Sequence, residues 1–181
     1  KINFMKKKKD KLNNLLELFY QSYQEQDKKK IFLQSLNKSK NFFTWEDVYK
    51  NINKLSDEIS NYIEKGDRCV IISENRPEWM ISDLSVMIAG GITVPAYTTY
   101  TERDYEYIID DCTPSVLIVS DKIQYLKIKK IIPKKKFIRK IIFFEHIEEF
   151  DKEFHLNINE IFKKQICNYP NFFYLKIQRK D

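Results

Sequence analysis

The chain has 181 residues, 43% of them hydrophobic, which is enough for one ordinary domain with a core and excludes a disordered composition. It carries a formal net charge of +6, yet 27 of its 32 basic residues are lysines. Nucleic-acid readers favour arginine for its bidentate geometry, so the charge points away from such a partner and the lysine runs at 6–9, 28–30 and 134–136 read as solvated surface.

Residues 1–10 form a basic N-terminal tail. Leu12, Leu15, Leu16, Phe19 and Tyr23 then recur at helical spacing and predict an amphipathic helix over 11–24. Residues 31–34 and 42–44 flank a polar turn at 37–40 and read as a hairpin. Thr44 opens a helix with Asp47 three residues on, an approximate capping box, and Val48, Ile52, Leu55, Ile59 and Ile63 continue its apolar stripe to a left-handed stop at Gly66. From there the pattern alternates. Residues 69–73 read as a buried strand. Pro77, in the first turn, opens a helix with Asn75 or Arg76 as its cap and Trp79, Met80, Leu84, Met87 and Ile88 as its packed face. Gly90 and Gly91 end it, and residues 92–97 are a second strand. Thr101 with Asp104 starts a helix that turns Tyr105, Ile108 and Ile109 inward, and Pro114 breaks it. A strand over 115–119, a helix over 121–130 and a strand over 137–144 follow. Residues 157–165 read as a helix and 168–181 as loop with room for one strand.

Strands alternating with helices predict an α/β fold, a mostly parallel sheet flanked by helices. The 18 residues from Leu84 to Thr101 carry no charge, but Gly90, Gly91 and Pro95 break them into helix and strand, not a membrane span.

The chemistry-bearing residues are sparse. Cys69, Cys112 and Cys167 are far apart and odd in number, which fits a reducing cytoplasm better than a disulfide framework. Neither they nor His146 and His155 have metal-ligand spacing, and each histidine reads as a surface or internally satisfied group. A phosphate cradle needs glycines to let backbone N–H groups close around the anion; Gly66, Gly90 and Gly91 stand in no such motif. The carboxylate pairs Asp110-Asp111 and Glu148-Glu149 read as solvated. Tyr97, Tyr100, Tyr105 and Tyr107 have one basic neighbour, Arg103, and read as packing, not as a base-stacking platform. No catalytic, cofactor-binding or metal residue is assigned.

The stretch GDRCVIISENRPEWMISDLSVMIAGGITVPAYTTYTERDYEYIIDDCTPSVLIVSD over residues 66–121 and the entry helix FTWEDVYKNINKLSDEI ahead of it resemble the N-terminal subdomain of the AMP-forming adenylating enzymes. Gly66-Asp67-Arg68 matches that family's turn before its first strand. Asn75, Pro77 and Glu78 match its N-x-P-E helix start, and Gly90-Gly91 with Val94-Pro95 match its helix exit and following strand. The segment PAYTTYT before an acidic helix looks most like the long-chain fatty acid–CoA ligase branch. The resemblance implies that residues 11–181 are a partial AMP-binding domain, truncated just before the phosphate-binding loop. It also implies that the complete enzyme joins fatty acid, ATP and CoA through an acyl-adenylate with Mg2+, and that the chain alone binds none of these tightly and is inactive. A cytoplasmic location follows, with peripheral contact at the inner membrane face left open. The matched residues read as scaffold. A non-catalytic α/β interaction module related to these enzymes is the alternative, and a nucleic-acid-binding domain a distant third.

Overall fold

The computed structural model describes residues 14–35, 42–148 and 151–165. The first helix, α1 (Leu15–Glu25), starts where the Asn14 side chain accepts the Glu17 N–H at 2.9 Å. It buries Leu16, Phe19 and Tyr20, whereas Leu15, expected inward, is 48% exposed. The stripe that faces the core is 16, 19, 20 and 23, and Leu15 lies outside it. Strands β1 (Ile31–Gln34) and β2 (Phe42–Thr44) pair antiparallel as expected; the turn assigned to 37–40 lies outside the described residues.

Helix α2 (Trp45–Ser60) is held open at its start by a reciprocal cap: Thr44 Oγ1 accepts the Asp47 N–H at 3.1 Å and Asp47 Oδ2 accepts the Thr44 N–H at 2.9 Å. Val48, Ile52, Leu55 and Ile59 are fully buried on one face. The helix stops at Ser60, before the expected position. Gly66 is left-handed (φ 90°) but sits in the following turn, where its N–H donates to Gly90 O at 2.8 Å.

The remainder alternates: β3 (Arg68–Ile72), α3 (Pro77–Ile88), β4 (Ile92–Ala96), α4 (Glu102–Cys112), β5 (Val116–Val119), α5 (Lys122–Ile128), a 3₁₀ turn at Ile132–Lys134, β6 (Lys140–Phe143), β7 (His155–Asn157) and α6 (Ile158–Lys163). The five strands are all parallel, in the order β4-β3-β5-β6-β7. Helices α2, α3 and α6 cover one face, over Cys69, Ile71, Val116, Ile118, Ile142 and Phe144. Helices α4 and α5 cover the other, over Val70, Ile72, Leu117, Val119, Ile141 and Phe143. With helices on both faces, alternate strand residues all need apolar side chains, which is why the central strands are continuous apolar runs. Each full burial contributes about 1.5–3 kcal/mol.

Two further elements differ from expectation. The inner face of α3 is Ile81, Leu84, Ser85, Val86 and Ile88, while Trp79, Met80 and Met87 are only half buried. Ser85 Oγ donates to Ile81 O at 2.6 Å, with Ile52 O of α2 at 3.1 Å, so a small polar residue lets the two helices approach. Strand β7 is unexpected: the sequence pattern assigns no element to residues 155 and 156 and reads Asn157 as a helix start. The strand exists because β6 offers it a parallel edge, with the Ile141 N–H donating to Phe154 O at 3.0 Å.

Candidate functional site at the carboxyl edge of the sheet

Strand β3 lies between β4 and β5, so the chain leaves β3 to one side for β4 and then crosses back to β5. In open parallel sheets the crevice outside the carboxyl ends at such a reversal is where ligands bind. Four loops meet there: residues 73–76 after β3, 97–101 after β4, 120–121 after β5 and 144–148 after β6.

Arg76 organises this edge. It precedes Pro77, which keeps it extended (φ −148°, ψ 161°), so it becomes the N-cap residue of α3 without a side-chain cap bond. Its guanidinium donates to Glu78 Oε2 at 2.9 Å, Glu145 Oε1 at 3.0 Å and Glu74 Oε1 at 3.3 Å, and its carbon lies 5.4 Å from the Phe144 ring centroid. Burial works against its charge, but the Glu78 carboxylate, then Glu145 and Glu74, hold its pKa above the ordinary arginine value. At the end of β5, Ser120 is fully buried, and its carbonyl accepts the Glu145 N–H at 3.1 Å. Its N–H donates to Ile72 O at 3.0 Å, and its Oγ has no hydrogen-bond partner among the described residues. Ser120 continues the alternation of Ile118, on the α3 side of the sheet. Asp121 caps α5 by accepting the Gln124 N–H at 2.9 Å.

The sequence-matched residues divide between the two edges. Asn75 is exposed and is not the cap of α3; Pro77 takes the first helical position and Glu78, buried, pairs with Arg76. Gly66, Gly90 and Gly91 lie at the opposite, amino edge. There, a Cβ on Gly91 would stand 2.9 Å from Ile63 Cδ1 and 3.0 Å from Val86 Cγ1, so this glycine serves close packing. Asp67 Oδ2 accepts the Glu64 N–H at 3.0 Å and the Ser115 hydroxyl at 2.7 Å. Arg68 donates to Cys112 O and Thr113 Oγ1, both at 2.6 Å, so the G-D-R turn latches the entry to β5. Val94 and Pro95 belong to the edge strand β4, where the missing N–H of proline costs little.

The other candidates are structural. His155 is buried, its Nδ1 accepting the Asp151 N–H at 3.0 Å, and His146 is exposed. Among the described residues no three His, Cys, Asp or Glu side chains converge as a metal site. Cys69 and Cys112 are unbridged; Cys167 lies outside the described residues. Tyr105 is buried, its hydroxyl donating to Tyr97 O at 2.8 Å and burial pushing its pKa up to about 12, whereas Tyr97 and Tyr107 are each 71% exposed. Lys135, inside a lysine run read as solvated, is drawn in by ion pairs to Asp110 and Glu106. Arg76, Ser120 and Glu145 carried no sequence motif; an arginine ahead of the helix-opening proline was the one available signal.

A nucleotide's triphosphate does not fit the described edge. Three carboxylates face one arginine, and the glycines that could open backbone N–H groups to an anion stand at the other end of the strands.

The parallel order, the packed amino-edge turns and the N-x-P-E start together define an adenylate-forming enzyme scaffold. A model of the AMP-binding enzyme family matches residues 19–165, and the chain belongs to that family. Among curated relatives, a long-chain-fatty-acid–CoA ligase of Bacillus subtilis is 37% identical over 79 residues, covering 43% of this chain and 14% of the relative. The rat long-chain-fatty-acid–CoA ligase ACSBG1 is 36% identical over 69 residues, covering 38% and 10%. The chain thus spans about a seventh or less of these relatives. Coronafacic acid ligase of Pectobacterium brasiliense superposes with a TM-score of 0.69 at 19% identity, over 84% of this chain and 29% of that one. A luciferase-like enzyme from the mealworm Zophobas morio gives 0.68 at 16% identity, over 90% and 37%. Among the described residues no helix is long and apolar enough to cross a membrane.

Proposed function

We propose that these 181 residues are the opening scaffold of an ATP-dependent long-chain fatty acid–CoA ligase, and that the scaffold alone performs neither half of the reaction. The observation behind the second clause is the distribution of charge and glycine. The carboxyl edge at the strand-order reversal is net acidic around Arg76, while Gly66, Gly90 and Gly91 are committed to turns and packing at the amino edge. In the complete enzyme a fatty carboxylate attacks the α-phosphorus of ATP to give acyl-adenylate and pyrophosphate, and the CoA thiol then displaces AMP. The first step needs cationic donors or a metal to hold the developing phosphate charge. Here the chain's own residues hold the loops around that edge: Arg76 ties the β3–α3 connection to Glu145, and Asp121 fixes the start of α5. The long-chain assignment is supported by the names of the curated relatives and by the PAYTTYT segment. On this reading the protein works in the cytoplasm, and ATP, Mg2+ and CoA are the complete enzyme's partners.

The test is ATP–pyrophosphate exchange with palmitate. The isolated chain should give none above background, and a complete enzyme that contains it should exchange with palmitate in preference to acetate. Exchange by the isolated chain would refute the scaffold reading; preference for acetate would refute the long-chain one.

A further inference from the structure

At the amino edge of the sheet, on the α5 side and away from the reversal, lies a groove of about 480 Å³. That is within the usual range for small-molecule sites, roughly 300–1,000 Å³. Its floor is apolar: Tyr125 of α5, Ile132 of the 3₁₀ turn, Ile138 ahead of β6 and Phe154 ahead of β7. Its rim is basic, with Lys129, Lys135 and Lys136 against one carboxylate, Asp151. Asp151 is already engaged, its Oδ1 accepting the Glu153 N–H at 2.9 Å. Lys135 is fixed by Asp110 and Glu106, which leaves its stem half buried along the wall. Lys136 is exposed and makes no ion pair among the described residues. The remaining titratable wall residue, His155, has its Nδ1 turned to the Asp151 N–H.

We propose that this groove binds a small amphipathic anion, its apolar body on Ile132, Ile138 and Phe154 and its carboxylate head at Lys136. An apolar floor beneath a cationic rim fits a molecule that carries both features, and neither a free anion nor a neutral hydrocarbon satisfies both parts. The proposal does not depend on the ligase reading, because it concerns the opposite edge of the sheet.

The experiment follows backbone amide shifts of the full 181-residue chain on titration with decanoate below its micellar concentration. Decan-1-ol serves as tail alone and inorganic phosphate as head alone. Decanoate should shift amides at 132–138 and 154 saturably, and each control should bind roughly tenfold more weakly. Lys136→Glu, at an exposed position that leaves the fold intact, should weaken decanoate about fivefold and leave decanol unchanged. Phe154→Ala should weaken both. Equal binding of decanoate and decanol, indifference to Lys136→Glu, or shifts centred on residues 73–76 and 120–121 would overturn the proposal.

Discussion

Arg76 and Glu145, 69 positions apart in sequence, meet at 3.0 Å across the carboxyl edge of the sheet. The contact ties the connection after β3 to the loop that follows β6. The same guanidinium also neutralises Glu78, whose side chain is 9% exposed, whereas that of Glu145 is 55% exposed.

These exposures rank the partners. Removing the arginine leaves a buried carboxylate without its cation, so Arg76→Met should lose about 2–4 kcal/mol. Glu145→Gln removes a partner that water can replace and should lose about 0.5 kcal/mol or less. Urea midpoints of the two variants provide the comparison. An Arg76→Met protein as stable as the parent would show that Glu78 does not depend on Arg76.

The glycines separate by mechanism. At Gly91 a methyl group would press on Ile63, on the stiff Val86 side chain and, at 3.3 Å, on the backbone oxygen of Asp67. Gly91→Ala should therefore cost about 1–3 kcal/mol through overpacking. Gly66 has nothing within 4 Å of its would-be Cβ, but its φ is +90°, so Gly66→Ala should cost about 1 kcal/mol through backbone strain alone. Asparagine should recover part of the loss at Gly66 and none at Gly91. Equal rescue at both sites would contradict this division.

The sequence shows most plainly what local chemistry decides. The caps Thr44–Asp47 and Thr101–Asp104, the first-turn Pro77 and the strands built from Val70–Ile72 and Val116–Val119 each follow from a few neighbouring residues. What tertiary contacts decide is hidden. His155–Asn157 has no apolar run and becomes a strand because the edge of β6 is open to it. Ser85 faces inward on α3 because a small residue is needed where α2 approaches, while the larger Trp79 and Met80 stay at the rim. The edge cluster was illegible for the same reason. Glu74, Arg76 and Glu78 are close in sequence, but Glu145 and Ser120 join them only through the parallel register. The G-D-R turn was legible as a turn, yet its links to Cys112, Thr113 and Ser115 span more than forty residues.

Asp67 gives that latch a pH dependence. The Glu64 N–H, then the Ser115 hydroxyl, with Arg139 and Arg68 further off, hold its carboxyl below the ordinary carboxylate value. A folded pKa below the unfolded one stabilises the protein fully above the unfolded value, about 3.9, and that stabilisation is lost as pH falls through the folded one. Asp67→Asn should therefore be less stable than the parent near neutral pH, and the two should converge as pH falls toward about 2. Urea unfolding across that range measures it. A constant gap between the two curves would mean that the charge on Asp67 contributes nothing.

Cys69 should report global unfolding. It is fully buried on β3, and burial, with the charge of Asp67 adding to it, pushes its thiol up to about 12. The thiolate is the reactive form, so at about pH 8 only about one in ten thousand Cys69 side chains would be ionised even if reagent could reach them. Cys112 is half buried at the end of α4; burial raises its pKa as well, yet reagent can approach it. Iodoacetamide pulses in rising urea, with the modified peptides weighed by mass spectrometry, should label Cys112 in the native range. Labelling of Cys69 should follow the far-UV circular dichroism transition. Native-range labelling of Cys69 at the rate of Cys112 would mean that β3 opens without the rest of the sheet, which its pairing on both sides, to β4 and to β5, opposes.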